Sequence, residues 1–191
     1  MPPKKKAAKK ANDYEMAEFI NSGTVIKDVR KNEYVVGEPV GQGGFGMIYL
    51  TDQKGHSNDL DNARYVIKIE PKKNGPLFAE INFYMRNCKP NDIDQFCKQQ
   101  KIPKLGIPKF MTQGIHTYNS NDLRYLIMPR FGRDLHKLFL ENGSLFNREF
   151  CAQIATKMLY AIEYMHSKRF AHADIKVSFK HLFVILIRKI F

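Results

Sequence analysis

Cysteine is scarce and unpaired in this sequence. Its three cysteines, Cys88, Cys97 and Cys151, form no C-x-x-C spacing, and an odd, scattered set excludes a disulfide framework and fits a reducing compartment. They read as core or surface thiols. Long apolar runs are also missing. The longest is LFVILI at 182–187, far too short to span a bilayer. The early lysine cluster runs into ANDYEMAEF rather than an apolar stretch, which argues against a signal peptide. A soluble, intracellular protein without membrane contact is the expectation. Acidic residues are outnumbered, 19 against 31 basic, for a net charge of +12. MPPKKKAAKK supplies five lysines and no acid, so the remainder carries +7. A basic arm on a moderately basic body predicts anionic partners such as nucleic acid, acidic proteins or phosphorylated ligands, or else a solubilising surface.

What is present is enough for a core: 191 residues at 43% hydrophobic content make one ordinary domain or two small lobes. No internal repeat is found. Residues 1–12 read as a disordered basic tail suited to nuclear import, nucleic-acid contact or plain solubility. From Tyr34 the pattern turns strand-like: YVVGEPV, then MIYLT, then RYVIKIE, three successive antiparallel strands. PLFAEINFYMRN predicts a helix, with Pro76 in its first turn and Leu77, Ile81, Tyr84 and Met85 on one stripe beside Glu80. KFMTQGIHT and LRYLIMPRF read as two further strands after a proline-punctuated loop. A long helix follows, capped by Asn147, with Phe150, Ile154, Met158, Ile162 and Met165 on one face. The expected fold class is α+β: an antiparallel β lobe with one inserted helix, then the start of a helical lobe, with a cleft between them.

VGQGGFGMIYL at 40–50 carries Gly41, Gly43 and Gly46 in G-x-G-x-x-G order, with Gly44 between them. A dinucleotide fold needs that motif to open a helix, yet Met47, Ile48, Tyr49 and Leu50 prefer a strand. The P-loop lysine position holds Met47, which excludes that reading. A glycine hairpin remains, either an ordinary turn or a cover for phosphates. Lys68 lies in a strand 22 residues after Gly46, and Glu80 follows 12 residues later on a helix. In protein kinases a strand lysine holds the α- and β-phosphates while a helix glutamate orients it. HADIK at 172–176 completes the order: Asp174 would accept the proton of the substrate hydroxyl, and Lys176 would stabilise the transferring γ-phosphoryl charge. Lysine two places after that aspartate favours serine/threonine substrates.

Through VGQGGFGMIYL, YVIKIEPKKNGPLFAEINFYMR, YLIMPRFGRDL and YMHSKRFAHADIK, residues 34–176 resemble the vaccinia-related kinase family, a branch of the casein kinase group. The resemblance implies a partial kinase domain at 34–176, with a β lobe to about residue 128 and a helical lobe from about 132. Residues 1–33 become a basic, partly disordered extension and 177–191 a divergent hydrophobic tail. It further implies that Met128 is the gatekeeper and that the backbone of Pro129 to Phe131 hydrogen-bonds adenine. Val40, Ile48 and Val66 would line the apolar ceiling over the base, although they serve equally well as ordinary strand core. ATP is the implied cofactor, with Mg²⁺ for a complete kinase. Protein substrates, some chromatin-associated, and a nuclear location with a cytoplasmic alternative follow from the family.

Three departures stand beside the resemblance. Ala173 replaces the arginine that usually reads a phosphorylated activation loop, which implies activity without that switch. Phe179 stands where the motif places a metal-binding asparagine, and no D-F-G occurs in the 191 residues. Poor or absent phosphate transfer by this chain is therefore expected. The tail VSFKHLFVILIRKIF reads as the end of a truncated product, from splicing, a retained intron or an imperfect gene model, and its apolar run as an aggregation hazard. The competing function is a catalytically dead lobe that binds nucleotide or a partner. A third expectation is a chain degraded for want of the lobe that should cover the long helix.

Overall fold

The computed structural model describes residues 14–43, 46–56, 59–131, 135–143, 145–171 and 188–189. Six strands form one antiparallel sheet: β1 (Val25–Lys27), β2 (Glu33–Gln42), β3 (Met47–Gln53), β4 (Tyr65–Pro71), β5 (Thr112–Tyr118) and β6 (Asn121–Pro129), in the order β1-β2-β3-β4-β6-β5. Helices α1 (Pro76–Asn87) and α2 (Pro90–Gln100) lie between β4 and β5, and α3 (Leu135–Glu141) and α4 (Arg148–Ser167) follow the sheet. A short ribbon pairs β7 (Phe170–Ala171) with β8 (Arg188–Lys189).

Local chemistry explains most of the element ends. Pro76 and Pro90 each open a helix at its first turn, where the missing N–H costs nothing. Asn119 and Ser120 both take positive φ in the two-residue turn joining β5 to β6, the geometry that matches the twist of the paired strands. Asn147 caps α4 by accepting the Phe150 amide at 2.8 Å, as the sequence predicts.

The sheet buries both faces. On one side Ile67 and Ile69 of β4 pack with Tyr49, Val36, Leu123 and Ile127, and Ile20 closes that layer from the segment ahead of β1. Ile20 donates its amide to the Tyr49 hydroxyl at 3.0 Å, and Asn74 donates to the Glu15 carbonyl at 2.7 Å. The folded body thus begins well before Tyr34, with β1 an additional strand. On the other side α1, α2 and the end of α4 pack against Leu126 and Met128.

Three helical details differ from the sequence expectation. On α1 it is Phe83 that is buried, while Met85 is 37% exposed, and Glu80 lies within the buried face rather than beside it. Helix α2 goes unread in the sequence because only Ile93, Phe96 and Cys97 of its eleven residues are buried. On α4, Met165 is buried with Ala161 and Tyr164, whereas Phe150, Ile154, Met158 and Ile162 are half-buried. The Tyr164 hydroxyl donates to the Asn87 carbonyl, which ties the end of α4 to the end of α1.

Candidate functional site

Strand pairing fixes the site. Ile48 and Leu126 flank Lys68 across β3 and β6, and Leu50 and Met128 flank Val66 in the next row. Directly opposed residues share a face, and so do positions two apart along a strand. Ile48, Val66, Lys68, Leu126 and Met128 therefore form one surface on the α1 side of the sheet. Lys68 is 5% and Glu80 4% exposed, and the Lys68 ammonium donates to Glu80 Oε2 at 2.6 Å. Burial makes this contact more than a surface ion pair, because removing either member strands the other charge in a low dielectric.

The glycine hairpin folds over the same lysine. Gly43 donates its amide to the Gly46 carbonyl at 2.8 Å, closing the turn. A Cβ at Gly43 would stand 3.7 Å from Lys68 Cε, so the turn passes close to the lysine stem. Gly46 has no room for a side chain: a Cβ there would lie 2.1 Å from the Ile69 carbonyl oxygen and 2.5 Å from Glu70 Cγ. Glycine is required at this point by close backbone approach.

Of the remaining sequence candidates, Gly41 pairs with Ile48, and Val40 sits at the neighbouring register shift with 42% exposure. Met128 is buried in the core cluster to which α1, α2 and α4 contribute. Phe131 is half-buried, with the Lys104 ammonium 5.7 Å from its ring centre. In the segment expected to meet adenine, Arg130 spends its amide on the Arg64 carbonyl at 2.8 Å. Proline 129 has no N–H, so its carbonyl is what it can offer. Gly44, Asp174 and Lys176 lie outside the described residues, as do Ala173 and Phe179.

Two groups in the site escape sequence reading. Glu70, two residues beyond Lys68, is 1% exposed and accepts the Leu77 amide at 3.1 Å. Burial raises its carboxyl above the ordinary range, against the pull of the neighbouring Lys68. Tyr84 lies one turn beyond Glu80, and burial, reinforced by the Glu80 charge, pushes its phenol well up. Its hydroxyl and Glu80 Oε1 are both buried without a hydrogen-bond partner. The signal for Glu70 was available, since strand alternation places it on the face of Lys68. Among the described residues no group of three or more His, Cys, Asp or Glu could hold a metal ion, and no helix is long and apolar enough to cross a membrane.

A buried ammonium, oriented by a carboxylate and roofed by a glycine turn beside an apolar surface, suits a phosphate-bearing ligand with a flat apolar ring. The chain is similar to proteins named as protein kinases. The chain is 39% identical over 174 residues to Nucleosomal histone kinase 1 of Drosophila melanogaster, covering 90% of this chain and 28% of the relative. It is 34% identical over 178 residues to Serine/threonine-protein kinase VRK2 of Homo sapiens, covering 93% and 34%. Against Probable serine/threonine-protein kinase FPV212 of Fowlpox virus (strain NVSL) it is 40% identical over 157 residues, covering 82% and 50%. The chain thus spans between 28% and 50% of the length of these relatives. The solved structure of vaccinia related kinase 3 superposes with a TM-score of 0.70 at 25% identity, over 84% of this chain and 46% of that one. The fold is accordingly protein-kinase-like in its β lobe. No family model matches the chain.

Proposed function

Since this chain is a relative of the vaccinia-related kinases, we propose that its cleft face binds ATP and that its chemistry is transfer of the γ-phosphoryl group to serine or threonine of a protein. The observation that carries this reading is the buried Lys68–Glu80 pair beneath the Gly43 turn. Lys68 holds the α- and β-phosphates, and Glu80 keeps the ammonium pointed at them. The hairpin from Gly41 to Gly46 covers the phosphates. Ile48, Val66 and Met128 enclose the adenine ring, and the Pro129 carbonyl accepts from its amino group. Asp174 takes the proton of the acceptor hydroxyl, and Lys176 offsets charge on the transferring group.

Mg²⁺ finds no ligand set among the described residues, and Phe179 occupies the motif position of an asparagine ligand. No step is therefore assigned to a metal. That same observation favours a second reading, a nucleotide-binding lobe without transfer. Incubation of the purified chain with labelled ATP and a generic basic or acidic protein separates them. Incorporation above a Lys68→Met control identifies an enzyme. Thermal stabilisation by ATP that scarcely depends on Mg²⁺, without incorporation, identifies the binding lobe. Loss of both signals removes the nucleotide reading altogether.

The five lysines in residues 1–10 direct the protein to the nucleus or bring it to anionic chromatin without sequence preference. Chromatin-associated acceptors fit a relative named as a nucleosomal histone kinase. Deleting residues 2–10 shifts the protein toward the cytoplasm, and an unchanged distribution would remove the import role.

A further inference from the structure

We propose that Glu70 is a positioning residue, which references both the glycine hairpin and the amino-terminal turn of α1 to the strand that carries Lys68. This rests on the nucleotide-site reading above and deepens it. Two contacts carry the argument. The Glu70 carboxylate accepts the Leu77 amide, one of the unpaired donors at the start of a helix, and Gly75, the residue that caps α1, has no side chain to do so. One turn further along the same helix is Glu80, so the carboxylate that orients Lys68 is set in height and rotation by a carboxylate two residues from Lys68 itself. On the other side, the Glu70 stem fills the space a Gly46 side chain would need, with Glu70 Cγ 2.5 Å from that vacant Cβ position. The base of the hairpin is thereby seated on β4 directly over Glu70.

The backbone leading into α1 is held by the same neighbourhood. Arg124 on β6 donates to the Asn74 carbonyl at 2.9 Å and lies 4.9 Å from the Phe78 ring centre. The charged groups facing Glu70 are Lys68 on its own strand, Glu80 on α1 and Arg124 on β6. A buried carboxylate with two cations near it and one anion is tolerated because its oxygen is also used by a backbone donor. Plain helix capping would need no contact with the hairpin; the double contact is what assigns the positioning role.

The test is built on phosphate. Adenosine meets the apolar ceiling alone, whereas ADP also needs Lys68 and the hairpin. Glu70→Ala in the full chain is expected to weaken ADP binding about tenfold or more, the scale of a lost hydrogen bond to a charged group. Adenosine affinity per folded molecule stays within about threefold of the parent. Glu70→Gln, which keeps the acceptor and the volume, stays near the parent for both ligands. The Leu77 amide exchanges rapidly in Glu70→Ala and slowly in the parent and in Glu70→Gln, with no nucleotide present. If Glu70→Ala does not fold, Glu70→Asp, too short to reach Leu77, replaces it under the same expectations. Equal weakening of ADP and adenosine, no weakening of either, or a Glu70→Gln variant as impaired as Glu70→Ala overturns the positioning role. A parent chain whose Leu77 amide is protected through Glu70, yet which binds neither ligand, overturns the nucleotide reading while upholding the tether to α1.

Discussion

Lys68→Met leaves the Glu80 carboxylate at 4% exposure with its one bonded oxygen stripped of a partner and the other already without one. Breaking a buried pair in this way costs about 3–5 kcal/mol, because an uncompensated charge remains in the interior. In a domain of this size that corresponds to a fall in melting temperature of roughly 6–20 °C. Replacing both members removes the stranded charge: Lys68→Met with Glu80→Leu fills similar volume with apolar atoms and is expected to recover to within about 1 kcal/mol of the parent. Some deficit persists, since Glu70 also loses its neighbouring ammonium and keeps only Arg124 and the Leu77 amide. Urea denaturation of the parent, the two single variants and the double variant gives the coupling directly. If Lys68→Met unfolds within about 0.5 kcal/mol of the parent, or the double variant is no better than the single, the pair is not buried as described. The result also bears on enzymology. A methionine control that is partly unfolded reports lost structure as lost activity, so incorporation must be normalised to folded protein.

Three other outcomes follow from the geometry. Gly46→Ala drives a Cβ into the Ile69 carbonyl and should destabilise by about 1–3 kcal/mol or more, whereas Gly43→Ala meets nothing nearer than 3.6 Å and should stay within about 0.5 kcal/mol; thermal melts of the two variants compare them. Tyr49→Phe leaves the buried Ile20 amide without its acceptor and should cost about 1–3 kcal/mol, with loss of amide protection at Ile20 in hydrogen exchange as the local readout. Asp52 is 1% exposed; burial works to raise its carboxyl, but hydrogen bonds from the Arg64 side chain and from the Arg64 and Gln53 amides prevail and hold it at about 2, below an ordinary value of 3.8. A carboxylate depressed on folding contributes stability that is fully present above its unfolded value and is lost as pH falls through the folded one. Stability should therefore decline between roughly pH 5 and pH 2 in the parent and more shallowly in Asp52→Asn.

Why some of this was legible and some was not comes down to the range over which each residue is constrained. Lys68 and Glu80 could be read from the sequence because each announces itself locally, a cation inside VIKIE and an acid inside a helical stripe, and because their order along the chain matches a known chemistry. The glycine hairpin could be read for the same reason: Met47 to Leu50 prefer a strand after it. The segment ahead of Tyr34 could not, since its hold on the sheet depends on single residues, Ala17, Ile20 and Ile26, too sparse to show a period. Helix α2 was missed on similar grounds, with three buried residues among polar ones. Glu70 is the instructive case. Alternation alone puts it on the face of Lys68, but an acid two places from a lysine in a strand reads as a solvent-facing pair until packing shows what lies above it. Only the approach of Gly46 from one side and Leu77 from the other gives that carboxylate its function, and neither approach is encoded within its own strand. Where a site is assembled by several elements, the residues that contact ligand can be recognised by type, while those that hold the elements in register are visible only in the fold.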